Sequence, residues 1–187
     1  KMGKKITIDS ATMMNKVFEI IEAQKIFNLK YEKLSILTHP KSYVHAIVQF
    51  KNGLSKILIH DTDMTIPIFN SLFPNFEKHI KSKKFNLSTM NNLNFQKVEN
   101  SRFPVIKIID SLSNKDSLYE TIIVTINDYL VNLFLKDKIK FVDISKNLLK
   151  LIKLQEFKKY KNIQPNNVAQ IEQLNKYVSL KMQSLSI

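Results

Sequence analysis

The 187-residue chain carries 29 Lys and Arg against 16 Asp and Glu, a formal net charge of +13, with no cysteine and two glycines, Gly3 and Gly53. Zero cysteine excludes disulfides and thiolate metal centres, two isolated glycines exclude a glycine-rich dinucleotide turn, and no apolar run approaches the roughly 18 residues of a membrane-spanning helix. The positive charge is almost all lysine, spread over every segment with Arg102 as the single arginine, and lacks a basic stripe or interleaved base-stacking aromatics, which argues against nucleic-acid binding. No signal peptide is visible at its start, and a reducing cytosol is the expected compartment.

The stretch from Lys5 to Phe27 organises the rest. Ile6, Thr7 and Ile8 predict the end of a short strand, and Asp9-Ser10 offers N-cap residues for a helix starting at Ala11. From there Met13, Met14, Val17, Phe18, Ile20 and Ile21 recur at helical spacing and form one wide apolar stripe. Asn15, Lys16 and Glu19, related by three and four positions, gather on the opposite face with Ser10 beneath them. A helix N-terminus with a hydroxyl, an amide and an ammonium suits a phosphate, and a carboxylate one turn on suits Mg²⁺ or Mn²⁺. An ordinary Ser10 cap with a solvated Lys16–Glu19 pair explains the same pattern without a ligand.

Three strands are expected next, over Leu34–Thr38, Tyr43–Phe50 and Leu54–Ile59, the last two joined by a turn at Lys51-Asn52-Gly53. Asp63 predicts a helix start, with Pro67 in the first turn and an end near Phe73. From Pro74 to about Arg102 the composition shifts to Lys, Asn and Ser with isolated apolar residues, an extended connection anchored by Phe85, Leu87, Leu93, Phe95 and Phe103. From Pro104 onward the period is helical over Val105–Leu112, Leu118–Leu135, Ile144–Leu154 and about Val168–Leu185, which predicts a helical bundle. Asn127 and Asp128 within it read as structural, a cap or turn contact. The fold class is α+β: a partial α/β portion over 1–73 with a helix packed on a small sheet, a linker over 74–104, and a C-terminal α-helical bundle over 105–187.

The run ITIDSATMMNK with Glu19 and IEA after it resembles the 1-deoxy-D-xylulose 5-phosphate reductoisomerase family, NADPH-dependent enzymes of isoprenoid biosynthesis. HPKSYVHAIVQFKNG, Asp63-Met64 with Pro67-Ile68, and TINDYLVNLFLKDKIKFVDI resemble further segments of that family. The pattern departs at Val17 for a glycine, Thr62 for a proline, Phe73 for a tryptophan, Val124 for an asparagine and Asp128 for a glutamate.

The resemblance implies that Ser10, Asn15 and Lys16 hold the substrate phosphate and that Glu19 is one of three carboxylate ligands to Mg²⁺ or Mn²⁺. It implies that His45 lies near the active site, that Met64 lines it, and that the strands of 43–59 form a homodimer interface. It also implies that 1–73 is part of a catalytic domain and 74–104 a crossover. NADPH and the other two carboxylates would belong to an upstream part, so the chain reads as the C-terminal portion of the enzyme, inactive alone, in a bacterial cytoplasm or a plastid-type stroma. A catalytically dead interaction domain and a basic nucleic-acid-binding module are the competing readings.

Overall fold

The computed structural model describes residues 3–75, 80, 82 and 86–185. Phe85, expected as a linker anchor, lies outside them. Two compact units form, one holding the chain as far as Ile36 and again from Glu99 onward, the other holding Leu37–Val98. The first two helices thus group with the C-terminal helices, a partition different from the expected 1–73, 74–104 and 105–187.

The first unit opens with α1 (Lys4–Thr12) and α2 (Met14–Phe27). Ile6–Ile8 is therefore helical, not a strand, and Asp9-Ser10 falls in the last turn of α1 instead of capping α2. The helical cost of two isoleucines and a threonine is only a few tenths of a kcal/mol each. Against it stand an i,i+4 ion pair from Lys5 to Asp9 at 2.7 Å and a bond from Asp9 to a distant helix, described below. α1 ends at Met13, whose φ of 67° and ψ of 11° are left-handed, and the same residue begins α2.

The stripe on α2 is buried as its spacing predicts: Met14, Val17, Ile20 and Ile21 are inside, with Met13 and Phe18 half-buried. Within the first unit it packs on α1 and on a 3₁₀ helix, Pro104–Ser111, which presents Val105 and Ile108 to the same core.

α5 (Tyr119–Leu135) is the axis of this unit. Ile122, Ile123, Ile126, Leu130 and Val131 are buried along it, and so are Thr125 and Asn127, so the helix is enclosed on most sides. The enclosing elements are α1, α6 (Phe141–Leu151), α7 (Gln155–Lys158) and α8 (Val168–Ser184). Each buried branched aliphatic contributes about 1.5–3 kcal/mol. The bundle helices follow the expected ranges to within a residue, save that Pro104–Ser111 is 3₁₀ and that α6 runs from Phe141 to Leu151, starting before the expected Ile144 and stopping before a separate α7.

The second unit contains two separate antiparallel pairs among its described residues, not one three-stranded sheet. β1 (Leu37–Thr38) pairs with β4 (Gln96–Lys97) from the expected linker, and β2 (Val44–Gln49) pairs with β3 (Ser55–Ile59). The hairpin closes locally: Gly53 N donates to Phe50 O at 3.1 Å, Phe50 N donates to Leu54 O at 2.8 Å, and Gly53 takes a φ of +86° that favours glycine. β1, cut short by His39-Pro40, is left to a partner far along the chain. α3 (Thr65–Leu72) follows, with Asp63 accepting from Thr65 N at 2.9 Å and Pro67 in its first turn. α4 (Leu87–Asn91) lies in the expected linker, where Leu93 is buried, Phe103 half-buried, and Leu87 and Phe95 exposed. No helix among the described residues is long and apolar enough to cross a membrane.

Candidate functional site

Three of the expected residues come together on the outer face of α2. Asn15 Nδ2 donates to Glu19 Oε1 at 2.7 Å, and Lys16 Nζ donates to Oε1 at 2.9 Å and Oε2 at 2.7 Å. The side chains of Lys16 and Glu19 stay 40% and 44% exposed, so the carboxylate is held in place yet open to a ligand. As an ion pair alone such an exposed contact adds under about 1 kcal/mol.

Ser10 is exposed and stands across the break at Met13, in the last turn of α1. The helix N-terminus that the sequence places beneath Ser10 is at Met14 instead. Its amides are partly engaged there: Met14 N donates to Thr12 Oγ1 at 3.4 Å, while Lys16 N and Val17 N donate to Met13 O at 3.1 and 3.4 Å. His45 and Met64 belong to the second unit. The His45 ring stacks on His60 at 3.6 Å between centroids, with its Nε2 3.2 Å from His60 O. Met64 is 59% exposed at the entry to α3.

Two polar networks behind α1 and α2 escaped the reading of the sequence. In the first, Asn127 Nδ2 donates to Asp9 Oδ1 at 2.8 Å, Lys5 Nζ donates to Asp9 Oδ2 at 2.7 Å, and Lys5 also pairs with Asp128 at 2.9 Å. Asn127 is thus a bond between helices, not a cap or a turn contact. Burial works to lower the Lys5 pKa, but its bonds to Asp9 and Asp128 prevail and raise it. The signal available in the sequence was an asparagine within the buried stripe of α5, flanked by Ile123, Ile126, Leu130 and Val131.

In the second network Lys25 Nζ reaches Glu120 at 2.7 Å and Asp116 at 2.8 Å, and Tyr31 N donates to Asn114 Oδ1 at 2.7 Å. Burial pushes the Glu120 carboxyl above its ordinary value although Lys25 pulls the other way. The reason is unequal access to water: the Glu120 side chain is 10% exposed and Lys25 37%.

Glu19 has the hard oxygen chemistry that Mg²⁺ or Mn²⁺ favours. Among the described residues no three His, Asp or Glu side chains come together as a metal site, so Glu19 can supply one carboxylate of such a site and no more.

Residues 59–179 match the family model "DXP reductoisomerase C-terminal domain", and residues 1–27 match "1-deoxy-D-xylulose 5-phosphate reductoisomerase C-terminal domain". The 1-deoxy-D-xylulose 5-phosphate reductoisomerase of Pelagibacter ubique is 64% identical over 186 residues, covering 100% of this chain and 48% of that protein. The Sulfurihydrogenibium reductoisomerase is 37% identical over 162 residues, covering 87% of this chain and 43% of its own length. A DOX-P reductoisomerase solved with NADPH, fosmidomycin and magnesium superposes with a TM-score of 0.85 at 27% identity, over 98% of this chain and 46% of that one. The Zymomonas mobilis enzyme solved with NADPH superposes at 0.80 with 28% identity, over 97% and 48%. The chain spans about half the length of the relatives it matches. By its matches from first helix to last, this chain belongs to the 1-deoxy-D-xylulose 5-phosphate reductoisomerase family, as the family's C-terminal region.

Proposed function

We propose that the complete protein containing this chain converts 1-deoxy-D-xylulose 5-phosphate to 2-C-methyl-D-erythritol 4-phosphate, a skeletal rearrangement followed by hydride transfer from NADPH. The observation that carries the reading is 64% identity to the Pelagibacter reductoisomerase over the whole chain. In this proposal Lys16, Asn15 and Ser10 donate to the substrate phosphate, a role for which charge-assisted and amide donors are suited. Glu19 contributes one carboxylate to a divalent cation, which when bound polarises the substrate oxygens. NADPH and the remaining carboxylates are assigned to the part of the protein upstream of this chain, His45 and Met64 to the surroundings of the substrate. The bacterial relatives and the lack of cysteine support a cytoplasmic enzyme.

The hairpin β2–β3 supports a homodimer through residues 43–59. Ile47 and Ile57 pair on one face of the hairpin and Val48 and Leu58 stand on the other, all 41–56% exposed, apolar surface that a second copy would cover. The test of the activity is direct: the complete protein, supplied with the phosphorylated ketose and Mg²⁺, should oxidise NADPH in proportion to substrate. NADPH that stays unconsumed under those conditions would overturn the proposal.

A further inference from the structure

We propose that Asp9 and Asn127 form a positioning pair that sets Ser10 and the start of α2 in register for a phosphate; the proposal rests on the reading of Ser10, Asn15 and Lys16 as phosphate donors. Asp9 is 2% exposed and Asn127 0%, and they meet at 2.8 Å between helices 118 residues apart in sequence. Both oxygens of Asp9 are engaged, Oδ1 by Asn127 and Oδ2 by Lys5. The next residue along the chain is the exposed Ser10.

The backbone of Asp9 reaches α2 as well. The one hydroxyl proton of Thr12 is shared between Ile8 O at 3.1 Å and Asp9 O at 3.2 Å, and Thr12 Oγ1 accepts from Met14 N, the first amide of α2, at 3.4 Å. A continuous path therefore runs from Asn127 through Asp9 and Thr12 to the helix that carries Asn15 and Lys16. Burying a carboxylate is costly, and apolar side chains of similar size would fill this contact between α1 and α5 at least as stably. What a hydrogen-bonded pair adds is direction. Apolar packing tolerates a small rotation of α1, whereas the bond from Asn127 to Asp9 and the pair from Lys5 to Asp128 tie it directionally to α5.

The experiment uses the complete reductoisomerase and reads KM for the phosphorylated substrate, competitive inhibition by inorganic phosphate, kcat, and KM for NADPH. Asn127→Ala should raise substrate KM and the phosphate inhibition constant about tenfold, the scale of a small misplacement of a binding group, and leave the NADPH KM unchanged. Lys5→Ala acts at the 44%-exposed end of the network, where folding tolerates the change, and should shift the same two constants, with Lys5→Arg restoring them. If Asn127→Ala does not fold, Lys5→Ala decides alone. Phosphate inhibition that stays within twofold in these variants, while Lys16→Ala weakens it, overturns the positioning role and leaves the phosphate reading intact. Phosphate inhibition unchanged in Lys16→Ala and Ser10→Ala as well removes the phosphate reading, and this proposal with it.

Discussion

Lys16 holds both carboxylate oxygens of Glu19 across one turn of α2, at 2.9 and 2.7 Å, and Asn15 shares one of them. If that were the whole role of Glu19, Glu19→Gln would cost about 0.5 kcal/mol and activity would hardly change. As a metal ligand it behaves otherwise, because the amide keeps the shape but loses the charge a hard cation needs. Turnover of the complete enzyme should fall by orders of magnitude and recover in part as Mg²⁺ or Mn²⁺ is raised. Near-normal turnover of Glu19→Gln at low metal would remove Glu19 from the site.

Lys16→Ala releases Glu19 and deletes one charge-assisted donor, a contact worth roughly 1.5–3 kcal/mol, or about ten- to a hundredfold in kcat/KM. Asn15→Ala should cost less, since its amide is neutral. Steady-state kinetics with the phosphorylated substrate measure both. A Lys16→Ala efficiency equal to that of the wild type would rule out the phosphate contact.

Glu120 predicts a pH dependence of stability. Its folded pKa lies above the unfolded value near 4.3, so the folded state binds the proton more tightly. The stabilisation from this group is complete below about pH 4.3 and is lost as pH rises through the folded pKa. Glu120→Gln does not titrate. Denaturation midpoints of the two proteins, compared from about pH 4 to 8, should therefore shift in favour of the variant as pH rises, on top of a constant loss from the broken bond to Lys25. A constant difference across that range, or one moving the other way, contradicts the burial effect.

The hairpin offers a test of assembly. Ile47 stands opposite Ile57 and Ala46 opposite Leu58, so charges at Ile47 and Leu58 address its two faces separately. Ile47→Lys and Leu58→Asp should each leave the melting temperature nearly unchanged, because both residues are already exposed, while weakening dimerisation in sedimentation equilibrium. A dimer of unchanged affinity in both variants would place the interface elsewhere.

What could be read in the sequence was what local geometry decides. The stripe of α2, the cluster of Asn15, Lys16 and Glu19, the turn at Gly53 and the apolar period of α5 and α8 all depend on residues within one or two turns of each other. Ile6-Thr7-Ile8 went wrong because its alternation suits a strand equally well, and the contact that makes it helical comes from Asn127, beyond any local window. Ser10 was misplaced for a related reason. A left-handed Met13 carries no glycine or asparagine to announce it and is held by packing from outside the segment. β1 keeps only the last two residues of the expected strand Leu34–Thr38 and pairs outside the expected three, since a two-residue strand leaves its pairing to whatever edge the rest of the chain brings.

The interrupted course of the first unit, which leaves at Ile36 and returns at Glu99, orders the events of synthesis. α1 and α2 leave the ribosome with their apolar stripe complete before Val105, Ile108 and all of α5, which share its core, have been made. Closing the intervening segment costs entropy that grows only logarithmically with its length, so lengthening or shortening Leu37–Val98 would change the stability of the first unit little. Timing is affected more than stability. The helix that carries Lys16 and Glu19 cannot be seated in this core until the second half of the chain arrives, which leaves Met14, Val17 and Ile21, buried in the finished unit, dependent on prompt completion or on a chaperone in the meantime.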